Sequence, residues 1–400
     1  MIIQNAALVV FIISTGCVSQ PAKLYNDALS SYRKNDLQDA LPRFELLAAQ
    51  KGDAESYAWL AETCRRLGKN KEALTNARTS LRLDPCNSFA HTVVADVSNP
   101  MYGQWEQSNT DTTWAHLKQA VECNPEDGNA WLSFSVEAMK NRDMAGTQRA
   151  LRGMVTSGFL TPTALAFGRW LLRALPPDAV LVTNGDMDTF PPWAVQVTEG
   201  FRADVSVVNR SLLNSREYQT YVREVVRLPA DAGDVVVSQT DTLLPADQVF
   251  RAWIHGKLGG SFPRPIALAC TIDQDWYRAY AADFRFCGPF FLWSRDAGPG
   301  LSVASLAKIS LEGVPPAQFI GPFVSDQDRS PIRHTTSNGL VELVIGTSVM
   351  NGTLSMKGGQ LADAQRWIDW AEEVNTKAVH RLSMTEKIDE LKKAMKQFEQ

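Results

Sequence analysis

Apolar positions recur every three to four residues from about 22 to 156, and this rhythm predicts a run of amphipathic helices. Between about 175 and 300 the rhythm changes. "AVLVT" (179–183), "DVSVV" (204–208), "DVVVS" (234–238) and "RPIALACTI" (264–272) are short apolar runs that read as strands, and "WAVQVTEGF", "REYQTYVREVV" and "ADQVFRAWIHGKL" between them read as helices. Val-rich strands without polar alternation, joined by helical crossovers, predict a mainly parallel sheet covered on both faces: a three-layer α/β domain over 175–335. Helical spacing returns at 340–375, and 376–400 reads as an amphipathic tail. The fold class is thus α/β plus all-α, with helical hairpins on either side of the sheet.

The helical part repeats itself. "YAWLAETCRRLGKNKEALTNARTSLRLDP" sets Leu60, Ala61, Gly68, Ala73, Ala77 and Pro85 at a spacing that closely resembles a tetratricopeptide repeat. Small residues at 61 and 73 let two helices approach, Gly68 turns the chain and Pro85 ends the second helix. An earlier copy carries Ala28, Asn35, Ala40 and Phe44; a later one, interrupted by 96–112, resumes at Trp114, Leu117, Ala120 and Pro125. Trp131 opens another, and Gly352, Gly359, Ala364, Ile368 and Ala371 mark a last hairpin in 340–375. The resemblance implies a surface for a protein partner; repeats so few and irregular are equally suited to buttressing the neighbouring domain. The interruption is either a functional loop or an excursion of the chain.

Candidate chemistry gathers where the strands end. The four runs finish in Thr183–Asn184–Gly185–Asp186, Asn209–Arg210–Ser211, Gln239–Thr240–Asp241 and Thr271–Ile272–Asp273. In a parallel sheet those ends share the edge at which open α/β sheets bind ligands. The candidate ligand-binding residues are therefore Asn184, Asp186, Asp188, Thr189, Asn209, Ser211, Asp241 and Asp273. The same residue types form turns and helix N-caps, so Asp188 or Thr189 capping a helix that begins near Pro191 is an equal reading of "NGDMDTFPPW". Asp186 and Asp188 on an extended segment would point the same way and present two oxygens to a divalent cation. No phosphate-binding loop, dinucleotide fingerprint or nucleophile elbow occurs, so no catalytic residue and no cofactor is assigned.

Residues 1–17, "MIIQNAALVVFIISTGC", form an apolar, uncharged stretch that ends in small residues and Cys. That layout predicts a signal peptide, and Cys17 after "STG" resembles the lipobox of bacterial lipoproteins, which implies an exported chain anchored in the cell envelope through lipid on Cys17. The other five cysteines are odd in number and lack CxxC spacing, so buried free thiols are expected, and the scattered His and Cys give no metal site. With 44% hydrophobic and 21% charged residues, net charge −4 and no Lys/Arg-rich stripe, nothing points to nucleic acid.

"TNGDMDTFPPWAVQVTEGFRADVSVVNRSLLNSREY" (183–218) and "RPIALACTI" resemble the soluble C-terminal region of bacterial membrane proteins related to protein O-mannosyltransferases, a similarity that runs over roughly 175–375. The membrane-embedded transferase half of that family is absent from this sequence, and no catalytic residue carries over. The expectation is a non-enzymatic scaffold whose repeats hold a protein partner and whose α/β domain takes a small ligand or glycan. The alternative is an enzyme or accessory factor of protein glycosylation, acting on a sugar or phosphate-bearing substrate at the strand ends.

Overall fold

In the computed structural model the described residues are 20–103, 105–231, 236–237, 242–296, 309, 315–378 and 384–398. Cys17 and Asp241 lie outside them. The chain divides into two compact units, residues 1–85 and 86–400. The boundary falls inside the stretch that the sequence presents as one repeat array.

The first unit holds α1 (Gln20–Arg33), α2 (Leu37–Lys51), α3 (Ala54–Arg66) and α4 (Asn70–Leu83). α1 packs on α2 and α3 on α4, as two successive hairpins. The expected crossing residues Ala28, Ala40, Ala61, Ala73 and Ala77 are completely buried, because a larger side chain there would hold the helices apart. Asn35 and Gly68 make the two turns in the left-handed region, at φ 61° and 74°. Asp36 and Asp53 cap α2 and α3. Phe44 stacks on Trp59 across the two hairpins with centroids 5.7 Å apart.

The second unit begins with two more hairpins, α5 (Ser88–Ser98) with α6 (Thr110–Cys123) and α7 (Gly128–Lys140) with α8 (Met144–Thr156). Its cysteines correct the thiol expectation. Cys86 and Cys123 form a disulfide that joins the start of α5 to the end of α6, while Cys64, Cys270 and Cys287 are free. The two partners stand 37 residues apart in sequence, and only the hairpin brings their Cα atoms to 5.2 Å. The interruption at 96–112 is ordered over its described residues: Asn99 donates to Glu137 on α7 at 2.8 Å, and the Trp105 indole closes on the carbonyl of Val97.

α9 (Pro162–Arg173) leads into β1 (Val180–Thr183), α10 (Asp186–Glu199) and β2 (Ser206–Asn209). Then come α11 (Arg216–Tyr221), the two-residue strands β3 (Val236–Val237) and β4 (Thr242–Leu243), α12 (Pro245–Gly259), β5 (Ile266–Ala269), α13 (Gln274–Tyr277), β6 (Phe284–Phe286) and β7 (Phe290–Trp293). The sheet order is β2-β1-β5-β7-β6. β2, β1 and β5 are parallel as expected, but β7 runs antiparallel to β5 and to β6, so the sheet is mixed rather than mainly parallel. The physical reason is local. After β5 only short helical turns follow, too short for a crossover, and Gly288 at φ 97° reverses β6 into β7 as a hairpin. Of the "DVVVS" run the described residues are Val236 and Val237, and these pair with β4 in a separate two-stranded sheet.

α10 packs closely on α9. A Cβ at Gly168 would sit 2.6 Å from the backbone carbon of Pro191, so glycine is what lets these helices touch. α14 (Pro331–Lys357) and α15 (Leu361–Lys377) make the last hairpin, against which α16 (Thr385–Phe398) buries Ile388, Leu391 and Met395. One apolar core runs through this unit, from Leu117 and Trp131 past Val180–Val182 to Val344 and Ile368.

Candidate functional site

The register aligns Thr183 with Asn209 and Val182 with Leu268, so three of the predicted strand ends share one edge. What those residues do there is set mainly by the start of α10. This helix begins at Asp186, ahead of the Pro191 start that the sequence suggests, with Gly185 as N-cap in extended backbone. Pro191 and Pro192 lie within it, and each lacks the N–H that would bond the preceding turn. A helix weakened in its second turn needs its first turn held by side chains.

Asp188 supplies the main hold. Its carboxylate is 3% exposed and accepts the N–H of Asn184 at 2.7 Å and of Gly185 at 2.8 Å, which are donors a helix N-terminus otherwise leaves unpaired. The Thr271 hydroxyl, from just past β5, donates to the same carboxylate. Burial pushes the Asp188 carboxyl above its ordinary range, against the pull of these three donors. The neighbouring Cys270 thiol is driven up as well, by its own burial and then by the Asp188 charge.

Thr189 completes the knot. Its hydroxyl donates to the carbonyl of Gly185 at 2.5 Å, stands 2.6 Å from that of Thr183 and accepts the Asn209 side-chain amide at 3.0 Å. Asn209 is 1% exposed, and its Oδ1 accepts the N–H of Leu212 at 2.9 Å while its own backbone N–H donates to the Tyr218 hydroxyl. Asp188, Thr189 and Asn209 therefore tie three strand ends to the helix, with their polar atoms turned inward. Asp273 caps α13 through the N–H of Asp275 at 2.7 Å. Ser211 donates to the carbonyl of Asn184 at 2.8 Å.

Asp186 and Asp188 do not form a pair. On a helix, residues two apart face different sides: Asp188 is buried, and Asp186 is exposed toward the Arg333 guanidinium at 3.5 Å. Among the described residues no cluster of three His, Cys, Asp or Glu side chains could hold a metal.

Three partners at this edge are absent from the residues that the sequence proposes. Arg210 follows Asn209 directly, lies 4.7 Å over the Trp276 ring and reaches Asn184 Oδ1 at 3.3 Å. Partial burial depresses its pKa, with Asp247 and Asp273 opposing that effect. Trp276 also stacks on Phe250 at 4.2 Å. Thr271 stands beside Asp273 in sequence. Arg333 has no such proximity to a predicted strand end; it pairs with Asp328 at 3.1 Å at the start of α14.

A second charged cluster fixes α14 to the repeats. Asp127, the N-cap of α7, takes both of its oxygens to Arg329 at 3.0 Å and accepts the Ser88 hydroxyl at 2.7 Å. Burial alone would raise its pKa; Arg329 and Ser88 outweigh burial and hold it below the ordinary carboxylate range. The Arg329 guanidinium also stacks on Phe89 at 4.0 Å.

A family model described as TMEM260-associated domain 2 matches residues 164–240, which span α9 to the short strand β3 and include the α10 knot. It covers less than half of the chain. No curated protein matches. Among solved structures, a thermophilic TPR protein of Thermus thermophilus is 16% identical, with 52% of this chain and 90% of that one covered at a TM-score of 0.32. A tetratricopeptide repeat protein from Parabacteroides merdae is 12% identical over 94% of this chain and 98% of that one, at 0.29. The complex of Naa15/Naa10 bound to HypK-THB is 13% identical over 95% and 66%, at 0.30. Superposition this loose adds nothing to what the helix pairs themselves show.

Proposed function

We propose that this protein is an exported, lipid-anchored scaffold that holds a protein partner on its helical hairpins, with the mixed sheet as a rigid frame. The observation that carries the reading is the consumption of the strand-end polar groups: Asp188, Thr189 and Asn209 are buried and bonded to nearby backbone, and Asn209 donates to Thr189. An active site needs such groups aimed at a substrate. The Cys86–Cys123 disulfide supports export, because such bonds persist in oxidising compartments. The signal-like start and Cys17 supply the anchor.

Photo-crosslinking tests this in the full chain. With a photoreactive residue at Leu46, Leu83 or Met144, all exposed on helices or their ends, the reading expects a discrete protein adduct. Adducts from Ser211 or Asp273 alone would contradict it.

A second reading has one observation in its favour. Arg210 is only partly buried, and among the described residues the one hydrogen bond of its guanidinium is the 3.3 Å contact to Asn184. With Asn184 and Ser211 it could bind a small anion or the phosphate of a sugar donor, as an accessory factor of protein glycosylation would. Titration with inorganic phosphate checks this: saturable binding that disappears in Arg210→Ala would favour the second reading over the first.

A further inference from the structure

α14 is apolar on nearly every side. Its 27 residues carry four ionisable side chains, Arg333, His334, Glu342 and Lys357, and none stands between 342 and 357. A helix of that composition is ordinarily covered all round. Ser337, Leu340, Val344, Ser348 and Asn351 are buried on one side. The opposite face is open: Ile332, Met350 and Leu354 are 60%, 49% and 48% exposed. The surfaces of α15 and α16 differ, with Arg366, Asp369, Lys387, Glu390 and Lys393 exposed there.

The open face has a seven-residue rhythm. Ile332, Gly339, Gly346 and Thr353 recur at that interval, and Thr336, Leu343, Met350 and Lys357 each follow four residues later. Alternating steps of four and three make a straight seam for one long helix laid alongside. Packing within the chain does not account for glycine at 339. A Cβ there would meet no neighbouring atom within 4 Å, and at 346 it would meet the Met384 methyl at 3.4 Å, an ordinary contact. Glycine inside a helix costs stability relative to alanine, so its place in this seam fits a neighbour from outside.

We propose that this face docks against the same face of a second copy of the chain, the two helices running antiparallel about a twofold axis. The seam is complementary to its own reverse. One register sets Gly339 of one copy opposite Met350 of the other, Gly346 opposite Leu343, and Thr336 opposite Thr353. Each glycine thus receives a large side chain, and the aliphatic stem of Lys357 lies along Ile332. A parallel pair would set glycine against glycine, leave voids and bring the two Lys357 together. With one Glu and one Lys, the face has no attraction for an anionic membrane surface. The proposal is independent of the scaffold reading, whose adducts are read at other residues.

Sedimentation equilibrium of the full chain tests it, with engineered cysteines as a second measurement. The wild type should show a monomer–dimer equilibrium. Met350→Glu with Leu354→Glu places charges where the monomer leaves them in water; it should weaken the dimer by about tenfold or more, since pairing would desolvate them. Gly339→Gln, for which the monomer has room, should weaken it as well, with a thermal midpoint no lower than wild type. Gly339→Cys together with Met350→Cys should yield a covalent dimer on oxidation, above the wild-type background. Within one chain those positions stand about 16 Å apart along the helix, beyond disulfide reach. Gly339→Cys alone should add nothing to that background. A chain that stays monomeric, a dimer indifferent to the two Glu substitutions, or equal cross-linking of the single and double Cys variants would overturn the proposal.

Discussion

Asp188 carries the most structural consequence of any single side chain at the strand ends. Two backbone N–H groups and the Thr271 hydroxyl converge on it. Asp188→Ala leaves partly buried donors without that acceptor, each loss being worth about 1 kcal/mol. We expect a lower midpoint in urea unfolding for that variant, with Asp186→Ala, at an exposed position, close to wild type. Asp127 gives a pH prediction of opposite origin. Its pKa is depressed in the folded chain, so its contribution is full above the unfolded value of about 3.9 and is lost as pH falls through the lower, folded value. Wild-type unfolding free energy should therefore drop below about pH 4. Asp127→Asn should be destabilised at neutral pH, because the mostly buried two-oxygen ion pair with Arg329 loses its carboxylate charge, and should lose part of that acid limb. The sequence pointed to Asn184, Asp186, Asp188, Thr189, Asn209, Ser211 and Asp273 as polar and grouped, with Asp188 or Thr189 as cap of a helix near Pro191, whereas the N-cap is Gly185 and Asp188 lies in the first turn; it was silent on Arg333 and Arg329, whose partners lie far away in the chain.

At the scale of elements, local signals were read well where neighbours in sequence are neighbours in space. Helix pairs with small crossing residues, the strands "AVLVT" and "DVSVV", and the helix around 246–258 appear where their periodicity puts them. Failures came where a tertiary partner decides. "DVVVS" has the composition of a central strand, yet among the described residues its Val236 and Val237 pair with β4. In "RFCGPFFLW" a Gly-Pro turn between aromatic runs marks the β6–β7 hairpin, but runs apolar on both sides hide the period that would identify strands. The disulfide was missed because cysteine spacing is uninformative until α5 and α6 fold back on each other. Reducing the Cys86–Cys123 bond, or replacing both residues by Ser, should lower stability by about 2–4 kcal/mol through a less constrained unfolded chain. Thermal unfolding with and without reductant measures it; coincident midpoints would mean that the bond adds nothing.

At the scale of the molecule, the parts differ in what they leave exposed. The sheet edge turns Asp188, Thr189 and Asn209 inward, toward a helix start weakened by Pro191 and Pro192, and leaves Asp186, Ser211 and Asp273 exposed. The hairpins keep charged and apolar side chains at their surface, with Leu46, Leu83 and Met144 all more than a third exposed. Four tryptophans of the hairpins are not exposed together: Trp59 and Trp131 are buried, and Trp105 and Trp114 are partly so. Their role is to hold what lies over them, as Trp131 does for Arg149. The most direct measurement is the yield of the protein adduct formed from a photoreactive residue at Met144, compared between the wild-type background and one carrying Asn184→Ala, Asp186→Ala and Ser211→Ala. Equal yields are expected. Loss of the adduct in the triple-Ala background, with the fold intact by circular dichroism, would show that the strand-end edge is itself the working surface.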